Sequence, residues 1–143
     1  MKPKYTLIIF FIIFLSFAVY GYFEAVPGLD NLSESHPTIK AIPDSFDFGE
    51  IEYGRVAENT FVIKNSGEEV LEITRLSTSC ACTSARIEKE ILNPGEEVNL
   101  FVKYNTGLMT GDYAKGNQER IIYIKTNDPV NPQIEVTIKA YVK

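Results

Sequence analysis

The final eleven residues, QIEVTIKAYVK, alternate apolar with polar side chains. Ile134, Val136, Ile138, Ala140 and Val142 fall on one side; Gln133, Glu135, Thr137, Lys139 and Lys143 fall on the other. A period of two puts successive side chains on opposite faces of an extended chain, so this segment buries one face as a β-strand. EVNLFVKYN repeats the pattern: Val98, Leu100, Val102 and Tyr104 share a face, and Asn99, Lys103 and Asn105 share the other, with Phe101 out of phase. NTFVIKN (59–65) and ERIIYIKTN (119–127) are apolar and β-branched, a composition enriched in strands.

Turn chemistry punctuates these segments. Asn65-Ser66-Gly67 separates Phe61–Lys64 from Leu71–Arg75, and Asn93-Pro94-Gly95-Glu96 precedes Val98. Asn127-Asp128-Pro129 and Asn131-Pro132 divide the last two strands. Such residues supply the backbone angles and local hydrogen bonds that turns need. About seven short strands at roughly 8–15-residue spacing predict an all-β fold, an Ig-like antiparallel β-sandwich over residues 41–143. No helix-length amphipathic segment lies between strands, which disfavours a parallel βαβ arrangement. With no Trp in the chain, the Cys-Trp-Cys core of immunoglobulin domains is absent, so the likeness is one of architecture. Thr106–Glu119 carries three glycines and reads as a loop or loose edge hairpin. Met109 and Tyr113 within it are candidate partner-binding residues, because loops on a rigid sandwich are where binding concentrates.

Ahead of the sandwich, residues 1–23 hold Lys2 and Lys4 and then an uncharged run from Tyr5 to Phe23. Its length suits a helix crossing a hydrocarbon core of about 30 Å. The run is long for the apolar part of a signal peptide, and Val19-Tyr20-Gly21 is a weak cleavage site, so a retained membrane anchor is favoured over a cleaved signal. No cysteine follows the run that would carry a lipid anchor. Lysines before it and Glu24, Asp30 and Glu34 after it place the N-terminus in the cytoplasm and the domain outside. Residues 24–40, rich in Pro, Gly, Asn and Ser, read as a linker. The only histidine, His36, lies there as a solvated side chain.

The net charge is −5, and because Lys2 and Lys4 lie in the N-terminal run, the remainder carries −7. Nucleic-acid binding depends on cations that neutralise phosphates, so a partner of that class is not expected. No phosphate-binding glycine loop, HExxH motif or nucleophile–histidine arrangement is present, and the chain reads as a non-enzyme with no cofactor.

PDSFDFGEIEYG, TFVIKNSG, LEITRLSTSCACT, LNPGEEVNLFVKYNTG and IKTNDPVNP occur in this order. In this ordered set the chain resembles the bacterial family named Domain of Unknown Function 1573, which is similar to Ig-like sandwiches of the abnormal-spindle, hydin and major-sperm-protein type. The resemblance covers Ala41 to Lys143 and implies a secreted or membrane-tethered Ig-like sandwich without an assigned activity. Among the matching positions, Phe46 and Phe48 should bury on one face, with Gly49 ending the strand. Asn65 and Gly67 should shape a turn, with Asn65 bonding its own backbone. The family pattern has glycine between its two cysteines; here the residue is Ala81, which disfavours a left-handed backbone there.

The only cysteines, Cys80 and Cys82, allow three readings. As metal ligands they fall short of the four that a structural zinc site needs, although Cu(I) would accept two thiolates with Met109 as a third soft donor. As a disulfide they suit an oxidising compartment. On a straight strand, however, their Cα atoms would lie about 6.5–7 Å apart, at the limit for a bridge. Arg75 and Arg86 are the cations nearest to them in sequence. As core fillers they would follow the habit of free cysteine, yet a straight strand puts Cys82 on the polar face with Ser84 and Arg86. Two functions follow. The first is a membrane-anchored extracytoplasmic module that binds or scaffolds another envelope protein. The alternative is an envelope thiol-redox or copper-handling protein acting through Cys80 and Cys82.

Overall fold

The computed structural model describes residues 11–21 and 35–143. Residues 11–21 are helical with exposed side chains. Among the described residues no helix is long and apolar enough to cross a membrane. The rest of the apolar run, and residues 24–34 of the expected linker, lie outside the described residues.

Residues 35–143 form a separate compact unit. It contains nine strands: β1 (Ile39–Ile42), β2 (Ser45–Ile51), β3 (Val56–Asn65), β4 (Leu71–Thr78), β5 (Thr83–Ile87), β6 (Ile91–Leu92), β7 (Glu97–Asn105), β8 (Gly116–Thr126) and β9 (Gln133–Val142). They make two sheets, β1-β3-β7-β5 and β2-β9-β8-β4-β6. The expectation of seven strands was too low. β1 has four residues and β6 two, too short for alternation to show in sequence. The sandwich is also not wholly antiparallel, because β2 pairs with β9 in parallel. The chain crosses from one sheet to the other between β1 and β2, so β2 reaches the edge of its sheet without a hairpin to β9.

The alternation read in β7 and β9 is the alternation that packs. Val98, Leu100, Val102 and Tyr104 are buried from one sheet, and Val136, Ile138, Ala140 and Val142 from the other. Phe61, Ile63, Leu71, Ile73, Leu92, Ile122 and Ile124 complete the core between them. Phe101 points outward beneath Arg86, whose guanidinium carbon lies 4.6 Å from the ring centre; the two residues are paired across β5 and β7. Such a contact stabilises an out-of-phase aromatic on a solvated face by about 0.5–1 kcal/mol.

Four local expectations are corrected. Residues 35–40 are not linker: Pro37 and Ile39 are buried, and β1 begins at Ile39. Gly49 does not end its strand. It takes φ +69° inside β2, where the register against β9 shifts, and Asp47 Oδ1 accepts from its N–H at 2.8 Å. This bulge turns the strand, and Phe46 stays 38% exposed rather than buried, edge-on to Phe48. The irregular segment stops at Lys115, because β8 begins at Gly116 and includes Gln118 and Glu119.

Gly67 is needed for close approach, not for a left-handed angle. A Cβ there would lie 2.2 Å from His36 O and 2.5 Å from Thr38 N, both backbone atoms. The segment ahead of β1 therefore lies directly on the β3–β4 turn. Gly67→Ala is expected to destabilise the domain by about 2 kcal/mol through overpacking. Urea unfolding of the two proteins measures this, and an unchanged midpoint would show that the approach relaxes freely.

Candidate functional site

β4 and β5 belong to different sheets, and the chain passes between them through Ser79-Cys80-Ala81-Cys82. The cysteines therefore sit in a turn at one end of the sandwich, not on the straight strand that set the face assignment from sequence. Their Cα atoms are 5.2 Å apart, and the two sulfurs are joined as a disulfide. Among the described residues none other than glycine has positive φ, so Ala81 turns the chain without the left-handed backbone that alanine disfavours.

Hydrogen bonds hold the turn. Thr78 donates its hydroxyl to the carbonyls of Cys80 (3.0 Å) and Thr83 (2.9 Å). Thr83 N–H donates to Cys80 O at 3.2 Å, and Asn105 N–H donates to Cys82 O at 2.8 Å. The two sulfurs are not equivalent. Cys82 is 6% exposed and belongs to the core, whereas Cys80 is half-buried beside the exposed Ala81. The Thr83 hydroxyl lies 3.5 Å from Cys80 Sγ and 3.9 Å from Cys82 Sγ.

Sequence reasoning missed the cation of this site. Arg120, in β8, donates from Nε to Cys82 Sγ at 3.3 Å and from Nη2 to Met109 Sδ at 2.9 Å. It lies 38 residues from Cys82 in sequence. The strand pattern of β8 gave its place in a sheet but not its neighbour across the sandwich end. Arg120 is held by the carbonyl of Glu119 (2.6 Å) and by the side chain of Gln118. Gln118 is itself anchored on the carbonyls of Tyr113 and Lys115. The guanidinium also stands 5.8 Å from the ring centre of Tyr104. Burial pushes the Tyr104 phenol up from its ordinary range, and the charge of Arg120 pulls it partly back. Its hydroxyl donates to Met109 Sδ at 3.5 Å.

Met109 thus turns inward to Arg120 and Tyr104, half-buried, while Tyr113 on the same loop is 89% exposed. The two candidate partner-binding residues face different environments. A guanidinium on both Cys82 Sγ and Met109 Sδ works against a Cu(I) ion between these sulfurs, because it repels a cation and occupies the lone pairs the metal would use. His36 stands apart from this cluster, with Nδ1 2.9 Å from Pro37 O and 3.3 Å from the Thr38 hydroxyl.

Two sheets packed face to face, joined at one end by a turn carrying a disulfide, define an Ig-like β-sandwich domain. The chain belongs to the family described as Protein of unknown function (DUF1573), whose model matches residues 39–142. The fold is similar to that of a protein of unknown function from Porphyromonas gingivalis W83, with TM-score 0.67 and 19% identity over 80% of this chain. The chain spans about half (51%) of that protein's structure. It is also similar to the ASH/PapD-like domain 7 of human CEP192, with TM-score 0.56 and 11% identity, over 83% of this chain and 96% of that one. A third likeness is to the secreted serine protease VesC from Vibrio cholerae, with TM-score 0.53 and 12% identity, over 80% of this chain and 24% of that one. No curated protein sequence matches the chain.

Proposed function

We propose that the chain is a tethered binding module of the cell envelope. In this reading the N-terminal apolar run holds it in a membrane, and the sandwich outside the cytoplasm engages another envelope protein. The observation that carries it is the Thr106–Lys115 loop, which presents Leu108 at 62% and Tyr113 at 89% exposure on a braced base. The brace is specific: Thr106 is fully buried, accepts from Arg55 N–H at 2.9 Å, and its N–H donates to Arg55 O at 2.9 Å. Tyr53 donates its hydroxyl to Met109 O at 2.8 Å. An exposed aromatic on a fixed loop loses little conformational freedom on docking, and aromatic anchors carry much of the energy of protein interfaces. The length and flanking charge of the Tyr5–Phe23 run support the tether. The occurrence of the same fold within a secreted protease supports use outside the cytoplasm.

Photo-crosslinking in cells from position 113 tests this, with position 135 on β9 as the control. A single envelope protein captured from 113 and not from 135 is the expected result. Purified with that protein, Tyr113→Ser should weaken binding by about tenfold or more while leaving thermal stability unchanged. Recovery of the chain in the soluble cytoplasmic fraction, or no capture from 113, would overturn the reading.

A further inference from the structure

We propose that Cys80–Cys82 is a thiol–disulfide exchange site that oxidises a dithiol, with Cys80 the sulfur attacked and Cys82 the sulfur released against Arg120. This goes beyond the partner-binding reading and does not depend on it.

Three observations carry the inference. First, the bridge joins residues two apart. It closes a very short loop, so it removes little freedom from the unfolded chain and is weakly justified as a staple. The turn already has its own brace in Thr78, Thr83 and Asn105. Secondly, the sulfurs differ in access. Cys80 is half-buried at the solvent side of the turn, whereas Cys82 is in the core. An incoming thiolate reaches Cys80. Thirdly, the only guanidinium in contact with the pair, among the described residues, touches the inner sulfur. Exchange is faster when the departing sulfur is stabilised as a thiolate, and a neighbouring cation does this. Arg120 from β8 is bonded to the inner sulfur, and Tyr104 from β7, its phenol pushed up by burial, stands beside it; Glu52, Tyr53 and Arg55 from the β2–β3 turn contact the adjoining loop at Thr106 and Met109. The departing thiolate therefore meets the positive charge of Arg120.

The step balances as follows. A thiolate of the dithiol attacks Cys80 Sγ; the new S–S bond forms as the Cys80–Cys82 bond breaks, and its electron pair leaves on Cys82 Sγ beside Arg120 Nε. The second thiolate of the same dithiol then attacks the sulfur bound to Cys80, expelling Cys80 as a thiolate and closing the dithiol's own disulfide. The dithiol loses two electrons and two protons; the protein gains both electrons and holds two thiols or thiolates. One molecule of a monothiol takes the reaction only to the mixed disulfide on Cys80, and a second must attack that disulfide to complete the reduction.

Stopped-flow reduction of the folded domain with dithiothreitol, and with a reduced peptide carrying two cysteines, tests this. Both should reduce the bridge, and the faster probe tells whether a small or a peptide dithiol suits the site. Arg120→Met should slow reduction by about tenfold or more, while Arg120→Lys, which keeps a cation, retains most of the rate. In the reduced protein, alkylation of Cys82 should set in at higher pH in Arg120→Met than in wild type, a readout that mere loosening of the fold would not shift. With oxidised glutathione, Cys82→Ser should form a mixed disulfide at Cys80, and Cys80→Ser should resist one at Cys82. A bridge that neither dithiol reduces while the domain stays folded would overturn the proposal. So would equal rates and equal alkylation profiles in wild type and Arg120→Met, or glutathione capture at Cys82 in preference to Cys80.

Discussion

Replacing Asn65 with alanine is expected to lower the unfolding free energy by about 3 kcal/mol, a large share of the stability of an ordinary domain. Asn65 ends β3 and is fully buried. Its Oδ1 accepts from Gly67 N–H at 3.0 Å and from Thr38 N–H at 3.3 Å. Its Nδ2 donates to Glu69 O at 2.7 Å and to Leu92 O at 3.1 Å. One amide thus ties the β3–β4 turn, β6 and the residue ahead of β1. Truncation strands several of these backbone groups away from water, and each stranded group costs about 1–3 kcal/mol before relaxation. Asn65→Asp makes the sharper test. It keeps the acceptor and loses the donor, placing a second carboxylate oxygen against two carbonyl oxygens. Urea unfolding at neutral pH should find it nearly as damaging as alanine. A neutral Asn65→Asp would show that the two donated bonds carry no stability.

Asp128→Asn is expected to cost about 3 kcal/mol at neutral pH, and the cost should shrink in acid. Asp128 is 1% exposed. Its Oδ1 accepts from the N–H groups of Val130 (2.8 Å) and Asn131 (3.0 Å), and its Oδ2 accepts from Ile39 N–H at 3.1 Å. Burial pushes the carboxyl up, but the N–H groups of Asn131, Ile39 and Val130, with the charge of His36 adding to them, outweigh it. The group is held below the ordinary carboxylate range. A carboxyl depressed by folding stabilises the domain above its unfolded value of about 3.9, and that stability is lost as pH falls through the lower folded value. Wild type should therefore keep its stability from neutral pH down to about pH 5 and lose it below about pH 4. Asp128→Asn, which sets an amide N–H against Ile39 N–H, should start lower and lack this component of the acid slope. Parallel acid slopes in the two proteins would remove Asp128 as the titrating group.

Asn65 and Asp128 show how far the sequence was readable. Both stand in segments whose composition announces turns, and both do form local turn bonds, Asn65 to Gly67 and Asp128 to Val130 and Asn131. Their second task was not readable. Each reaches the backbone at the start of β1, at Thr38 and Ile39, across 27 and 89 residues of chain. β1 itself was missed for the same reason: four residues carry too little pattern, and the strand is held by side chains distant in sequence. Phe46 marks the opposite failure. Its alternation with Phe48 read as a buried face, but β2 is an edge strand bent by a bulge at Gly49, and position in a sheet is not a local property.

The disulfide turn divides along the same line. That two cysteines stand one residue apart was explicit in the residues, as were the strands on either side. Whether they share a strand face or a turn depended on the chain changing sheets between Thr78 and Thr83, a choice made by the packing of the whole sandwich. Arg120 joined them only because β8 pairs with β4, which brings the start of β8 to the same end of the fold. Periodicity and turn chemistry act over a few residues, so the sequence by itself determined the β-class, most strands and their buried faces. Sheet order, the depth of each sulfur and the cation beside one of them arise from contacts between distant segments, and these were decided only when the two sheets closed on one core.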